Sequence, residues 1–257
     1  MISRRVGIGL LLTFTLVVAA AAFFVPRIPQ PQSYHDFADQ RGWLGISNFG
    51  DVVSNLPFAV VGVWGLVFLC RKPSRARFAD PRERWPYILV LLGLLLTAFG
   101  SSYYHLAPDN ARLVWDRLPM TLVFMPLVAA VIAERVGVRT GLFLLPVLIL
   151  MGAGSVILWK VSEARGAGDL RLYAAVQAYA VLVLPVVLLL SPRYTRGSDF
   201  AVVFGLYVLA KIVEIADRQI FSVGHVVSGH TLKHLAAGAA GYWILRMLQK
   251  RQLIQHQ

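Results

Sequence analysis

The sequence predicts an all-α, polytopic membrane helix bundle: a seven-helix core preceded by one extra amino-terminal transmembrane helix. Hydrophobic residues make up 57% of the 257 positions, and the mean hydropathy of +0.64 is too high for an ordinary soluble domain. Apolar runs of about 20 residues recur along the chain, the length that crosses a bilayer as a helix. The net charge of +12 comes from arginines and lysines gathered between those runs, which reads as a topological bias and not as a nucleic-acid surface. No long polar linker divides the chain, so residues 1–25 form the extra helix and residues 26–257 a single membrane domain. Cys70 is the one cysteine, which excludes an intrachain disulfide.

The first span, residues 6–25, follows Arg4 and Arg5 and ends near a run of small residues, Ala19 to Ala22, as a signal peptide would. Its length exceeds a usual signal core, so a retained helix or uncleaved anchor is expected. A polar loop follows, with His35, Asp36, Asp39, Arg41 and Asn48. Span two, residues 52–70, carries Ser54, Asn55 and Pro57, and its two polar side chains are expected to hydrogen-bond across helices. The next loop holds Arg71, Lys72, Arg75, Arg77, Arg82 and Arg84, and so marks the cytoplasmic side. Spans three to six cover residues 85–104, 115–133, 141–159 and 172–190. Span seven, residues 199–217, contains Lys211, Glu214 and Asp217, and the last span covers residues 229–248. Trp43, Trp85, Trp115 and Trp159 fall near span ends, as an interfacial aromatic belt requires.

Alternation of these eight spans puts both termini and most basic residues on the cytoplasmic face of a plasma or inner membrane. The opposite rim receives Asp36, Asp39, His105, Asp116 and His230. His230 and His234 are four apart, so a helix presents both imidazoles on one face, a common spacing for two ligands of one zinc ion. His105, from the same rim, supplies a third nitrogen and leaves a fourth position for water, as in catalytic zinc sites. Their nitrogens should then converge to roughly 3–3.5 Å. Ser101 lies one turn before His105 and can donate to a developing oxyanion, whereas Ser102 points elsewhere. Asp116 can act as general acid/base, and an ion pair with Arg117 is the plainer use of the same carboxylate.

Lys211, Glu214 and Asp217 share a broad face, where a self-neutralising pair and a functional relay are both open. His225 reads as a surface or supporting residue, and His35 and His256 have no comparable company. Asp36, Asp39 and Asn48 offer hard oxygen ligands of the kind calcium takes, and on spacing alone a solvated acidic turn is the stronger reading.

Taken together, Ser101-x-x-x-His105, Asp116 in Trp-Asp-Arg-Leu-Pro-Met, His230-x-x-x-His234 and the segment Asn48 to Leu56 resemble the alkaline ceramidase family. That family sits in the membrane hydrolase superfamily that includes progestin/adiponectin-type receptors. The resemblance covers nearly the whole chain after the first span. It implies a seven-helix core, Zn2+ on His105, His230 and His234, Asp116 as acid/base, Ser101 near the oxyanion, and hydrolysis of a ceramide-like N-acyl lipid to a fatty acid and a sphingoid-type amine. It also implies Ca2+ in the amino-terminal loop at Asp36 and Asp39, with the Phe37 carbonyl. Two positions depart from the pattern: Arg41 stands near an expected oxygen ligand, and Asn48 replaces an acidic one. A receptor-like or transport protein with a structural metal is the alternative.

Overall fold

The computed structural model describes residues 4–254, so His256 lies outside the described residues. Among them the chain is all-helical, with two isolated bridges and no strand. Ten α-helices follow in order: α1 (Arg4–Phe24), α2 (Phe49–Val53), α3 (Leu56–Cys70), α4 (Arg84–Leu106), α5 (Asn110–Arg135), α6 (Val138–Ala164), α7 (Arg171–Leu188), α8 (Asp199–Ile215), α9 (Asp217–Ser222) and α10 (Gly229–Lys250). Six helical segments are long and apolar enough to cross a membrane: α1, α2 with α3, and α4 to α7. Of the remaining long helices, α8 has only 17 residues. Polar residues and glycines along α10 lower its hydropathy.

Span two is not one continuous helix. The Ser54 hydroxyl donates to the Asp51 carbonyl (3.1 Å), and the Asn55 amide donates to the same carbonyl (2.8 Å). Pro57 has no N–H to continue the ladder, so the chain breaks between α2 and α3. Only Ser54 reaches across helices; Asn55 bonds locally, and its Oδ1 is buried without a partner.

The central post is α5, with 72% of its apolar window buried against 6% for α1. It packs on α4, α6 and α7, while α10 packs on α3 and α8. The extra helix α1 lies on the outside of α7, where the Thr15 and Tyr179 hydroxyls meet at 3.2 Å. Two glycines allow the close approaches that shape one end of the bundle. A Cβ on Gly100 would lie 1.9 Å from the Trp115 carbonyl oxygen, and one on Gly229 would lie 2.0 Å from that of Val213. With no side chain there, α4 meets α5 beside Ser101 and Asp116, and α10 starts directly on α8.

The opposite end is held by a buried polar cluster. The Arg251 guanidinium bonds the Glu134 carboxylate and lies over the rings of Phe78, Tyr87 and Tyr194. Tyr87 donates to Glu134 (2.7 Å), and Arg193 pairs with Glu83 (3.1 Å). These contacts gather the ends of α4, α5 and α10 with the loop after α7. The start of α4, the ends of α5 and α10 and the loop after α7 therefore lie at one end of the bundle.

Candidate metal centre

His105 stands in the last turn of α4, and His230 and His234 stand in the first two turns of α10. The start of α10 is fixed by side chains that satisfy its free amides. Ser228 accepts from the Thr231 N–H (3.0 Å), and Asp217 accepts from the His230 N–H (2.7 Å). Asp51 of α2 takes the Ser228 and Thr231 hydroxyls (3.2 and 2.8 Å), tying the broken helix to the start of α10. Asn48 adopts a left-handed backbone (φ 47°), which asparagine tolerates, and its amide donates to the His105 carbonyl (2.7 Å).

The three imidazoles converge. Their ring centroids are 4.8–5.0 Å apart, and the Nε2 atoms of His105 and His230 are 3.2 Å apart. One ligand atom from each residue lies within 4.8 Å of the others. The three residues are buried, at 1%, 5% and 4% exposure. His234 Nδ1 meets the Ser54 hydroxyl at 2.8 Å. Since that hydroxyl donates to Asp51, it receives the Nδ1 proton and leaves Nε2 of His234 free as a ligand. His105 Nδ1 is buried without a partner. Three neutral, convergent nitrogen donors fit a divalent metal ion. Phe37 covers the cluster, its ring centroid 4.3 Å from His230 and 4.7 Å from His105.

Ser101 and Asp116 are both buried. Both line a cavity of about 990 Å³ together with His230 and His234. Much of the remaining wall is apolar, with Leu94, Phe124, Leu127, Leu184, Phe204 and Ile244 among its residues. Asp116 does not pair with Arg117. That guanidinium instead bonds Gln30 (2.6 Å) and stacks over Trp159, Tyr173 and Tyr34.

The residues expected to hold calcium are engaged otherwise. Asp39 receives two hydrogen bonds of 2.8 Å from the Arg41 guanidinium, which also donates to the His225 and Val226 carbonyls. Arg41 thereby holds the Asp39 carboxyl below its ordinary range. Asp36 pairs with Arg218, and the Asn48 amide is turned to α4. The loop thus sets arginine donors beside Asp36 and Asp39 and ties Asn48 to the α4 backbone.

Several residues do more than the sequence suggests. His35 has company after all: its two ring nitrogens meet Tyr104 Oη and Asn110 Oδ1, each at 2.8 Å. Asp217 begins α9 and caps α10, and it lines the same cavity as Lys211 and Glu214. Lys233 joins that pair instead, and Glu214 bridges the two ammonium groups at 2.8 Å each. A lysine inside a His-x-x-x-His repeat on an apolar helix was the available signal. His225 is exposed, with its ring against Phe221. No protein-family model matches this chain, and no curated protein matches it.

Proposed function

We propose that the chain is a zinc-dependent integral-membrane amide hydrolase acting on N-acyl lipids, with ceramide-like compounds as the reference substrates. The observation that carries this reading is that His230 and His234, two of three convergent buried imidazoles, line one largely apolar cavity together with Ser101 and Asp116. When bound, zinc supplies a Lewis acid that activates water and polarises a carbonyl. Asp116 accepts a proton from the attacking water as the C–O bond forms. Ser101 donates to the carbonyl oxygen as it gains negative charge. Asp116 then returns the proton to the amine nitrogen as the C–N bond breaks, releasing a fatty acid and a sphingoid-type amine. The apolar walls take the acyl chain.

In this reading α8 and α10 also cross the membrane, giving a seven-helix core plus α1. The termini then face the cytoplasm and the metal centre faces the other side. Replacing His234 with Ala should remove bound zinc and amidase activity together, and Asp116→Asn should keep zinc while losing turnover. Full acyl-lipid hydrolysis by metal-free His234→Ala protein would end the proposal. The paired Lys211, Glu214 and Lys233 favour one other reading, a transport or receptor-like protein with a structural metal. That reading predicts a defect from Glu214→Gln and no turnover of any acyl lipid.

A further inference from the structure

The cavity runs from the imidazoles toward the opposite end of the bundle. Its walls follow α5 from Asp116 to Leu127, α8 from Glu214 back to Phe200, and α10 from His234 to Ile244. At ~1.5 Å per residue these stretches rise about 17, 21 and 15 Å. One leaflet of a bilayer has a similar height, about half of a ~30 Å hydrocarbon core. A zigzag of ~1.5 Å carbon–carbon bonds advances about 1.3 Å per carbon, so an extended chain of roughly 12–16 carbons fills that depth.

The far end is closed by a thin layer. Leu188 and Gly197 line the cavity and also a smaller pocket beyond it, to which Arg135, Tyr194 and Arg196 contribute. Phe200 and Ile244 belong to the same end of the cavity and are buried, at 4% and 3% exposure. The loop that carries Gly197 is pinned from several directions. Arg135 Nη1 donates to the Leu190 carbonyl (2.7 Å), and the Tyr194 hydroxyl donates to Glu83. The chain after α10 pairs with the loop as well. The Thr195 N–H donates to the Gln252 carbonyl (2.9 Å), and the Ile254 N–H donates to that of Arg193 (3.1 Å). A tail pushed through this layer would meet guanidinium groups and backbone carbonyls, desolvating them without offering a hydrogen bond in return.

We propose that Leu188 and Phe200 form a stop at the end of the cavity, so that N-acyl lipids with acyl chains of up to about 16 carbons are accepted and longer ones are disfavoured. This rests on the amidase reading and narrows its substrate by acyl length.

Equilibrium binding of N-lauroyl-, N-palmitoyl-, N-arachidoyl- and N-lignoceroyl-sphingosine to metal-free, full-length protein in one detergent tests the stop. The lauroyl and palmitoyl lipids should bind, and the two longer ones at least about tenfold more weakly, the scale of an overpacked apolar site. Phe200→Ala should bring the arachidoyl lipid close to the palmitoyl one while leaving the palmitoyl constant little changed. Leu188→Ala, at a less buried position, provides a second variant if the first does not fold. A flat series in the wild type would overturn the proposal, because the tail would then leave the cavity sideways between α7 and α8. An unchanged ratio of arachidoyl to palmitoyl binding in a folded variant would overturn it too, as would failure of every chain length to bind. Turnover by zinc-loaded protein is scored separately. If no amide in the series is cleaved, the amidase reading fails while the length limit in binding stands or falls by itself.

Discussion

Ser54 receives the Nδ1 proton of His234 at 2.8 Å and donates its own to the Asp51 carbonyl at 3.1 Å. The hydroxyl thus selects the tautomer in which the outer nitrogen can bind a metal. Supporting contacts of this type contribute roughly 10–100-fold in metal affinity, so Ser54→Ala should weaken binding by that factor and Ser54→Thr should restore most of it. Competition against a chelator of known affinity measures this, and an unchanged constant in Ser54→Ala would show the contact to be idle. Asp39 offers a second test at this scale. Hydrogen bonds from Arg41 lower its pKa below the ordinary aspartate value of 3.8, so the stabilisation is present above that value and disappears only as pH falls through the lower folded one. Amides of residues 36–41 should therefore stay protected from hydrogen exchange near pH 3.8 and open below it. In Arg41→Ala they should open at higher pH. The imidazoles and Asp116 were legible in the sequence because helical spacing and span alternation already place them on one rim. The partners of His35 and Asn48 were not, since both meet side chains or carbonyls far away in the chain.

At the scale of elements, the apolar runs located every long helix to within about five residues, the widest gaps being the polar first turn of α5 and the last turn of α6. What they concealed was the interruption at Ser54–Asn55, because hydrophobic residues continue on both sides of it. The break is useful: it turns Ser54 toward α10 and lets Asp51 hold the hydroxyls at that helix's start. Helix–helix distance is the other element-level quantity that composition does not reveal. Gly100 sets it for α4 and α5, and Gly100→Ala drives a methyl into the Trp115 carbonyl. The expected result is a loss of about 1–3 kcal/mol from overpacking, together with a fall in activity as Ser101 and Asp116 separate. Thermal unfolding and acyl-lipid turnover on one preparation check both; wild-type behaviour in both would mean the helices yield without harm.

For the whole molecule, the proposed orientation places the loop containing Arg82 and the turn containing Arg218 on opposite sides of the membrane. In a Cys70→Ser background, a cysteine at position 82 should react with an impermeant reagent only from the cytoplasmic face, and one at 218 only from the other. Labelling of both from one side would refute the eight-span arrangement. The cavity itself could not be read from the chain, because wall residues such as Leu184 on α7 and Phe204 on α8 have the same apolar character as lipid-facing ones. Arg41 has a consequence at this largest scale too. Its guanidinium joins the amino-terminal loop to the approach to α10 through Asp39 and the carbonyls of His225 and Val226. A cation tethered to its own backbone has a fixed dose: it cannot be diluted, chelated or outcompeted. The cover over the imidazoles should thus be deaf to ambient calcium, and unfolding temperatures with added calcium or magnesium should coincide.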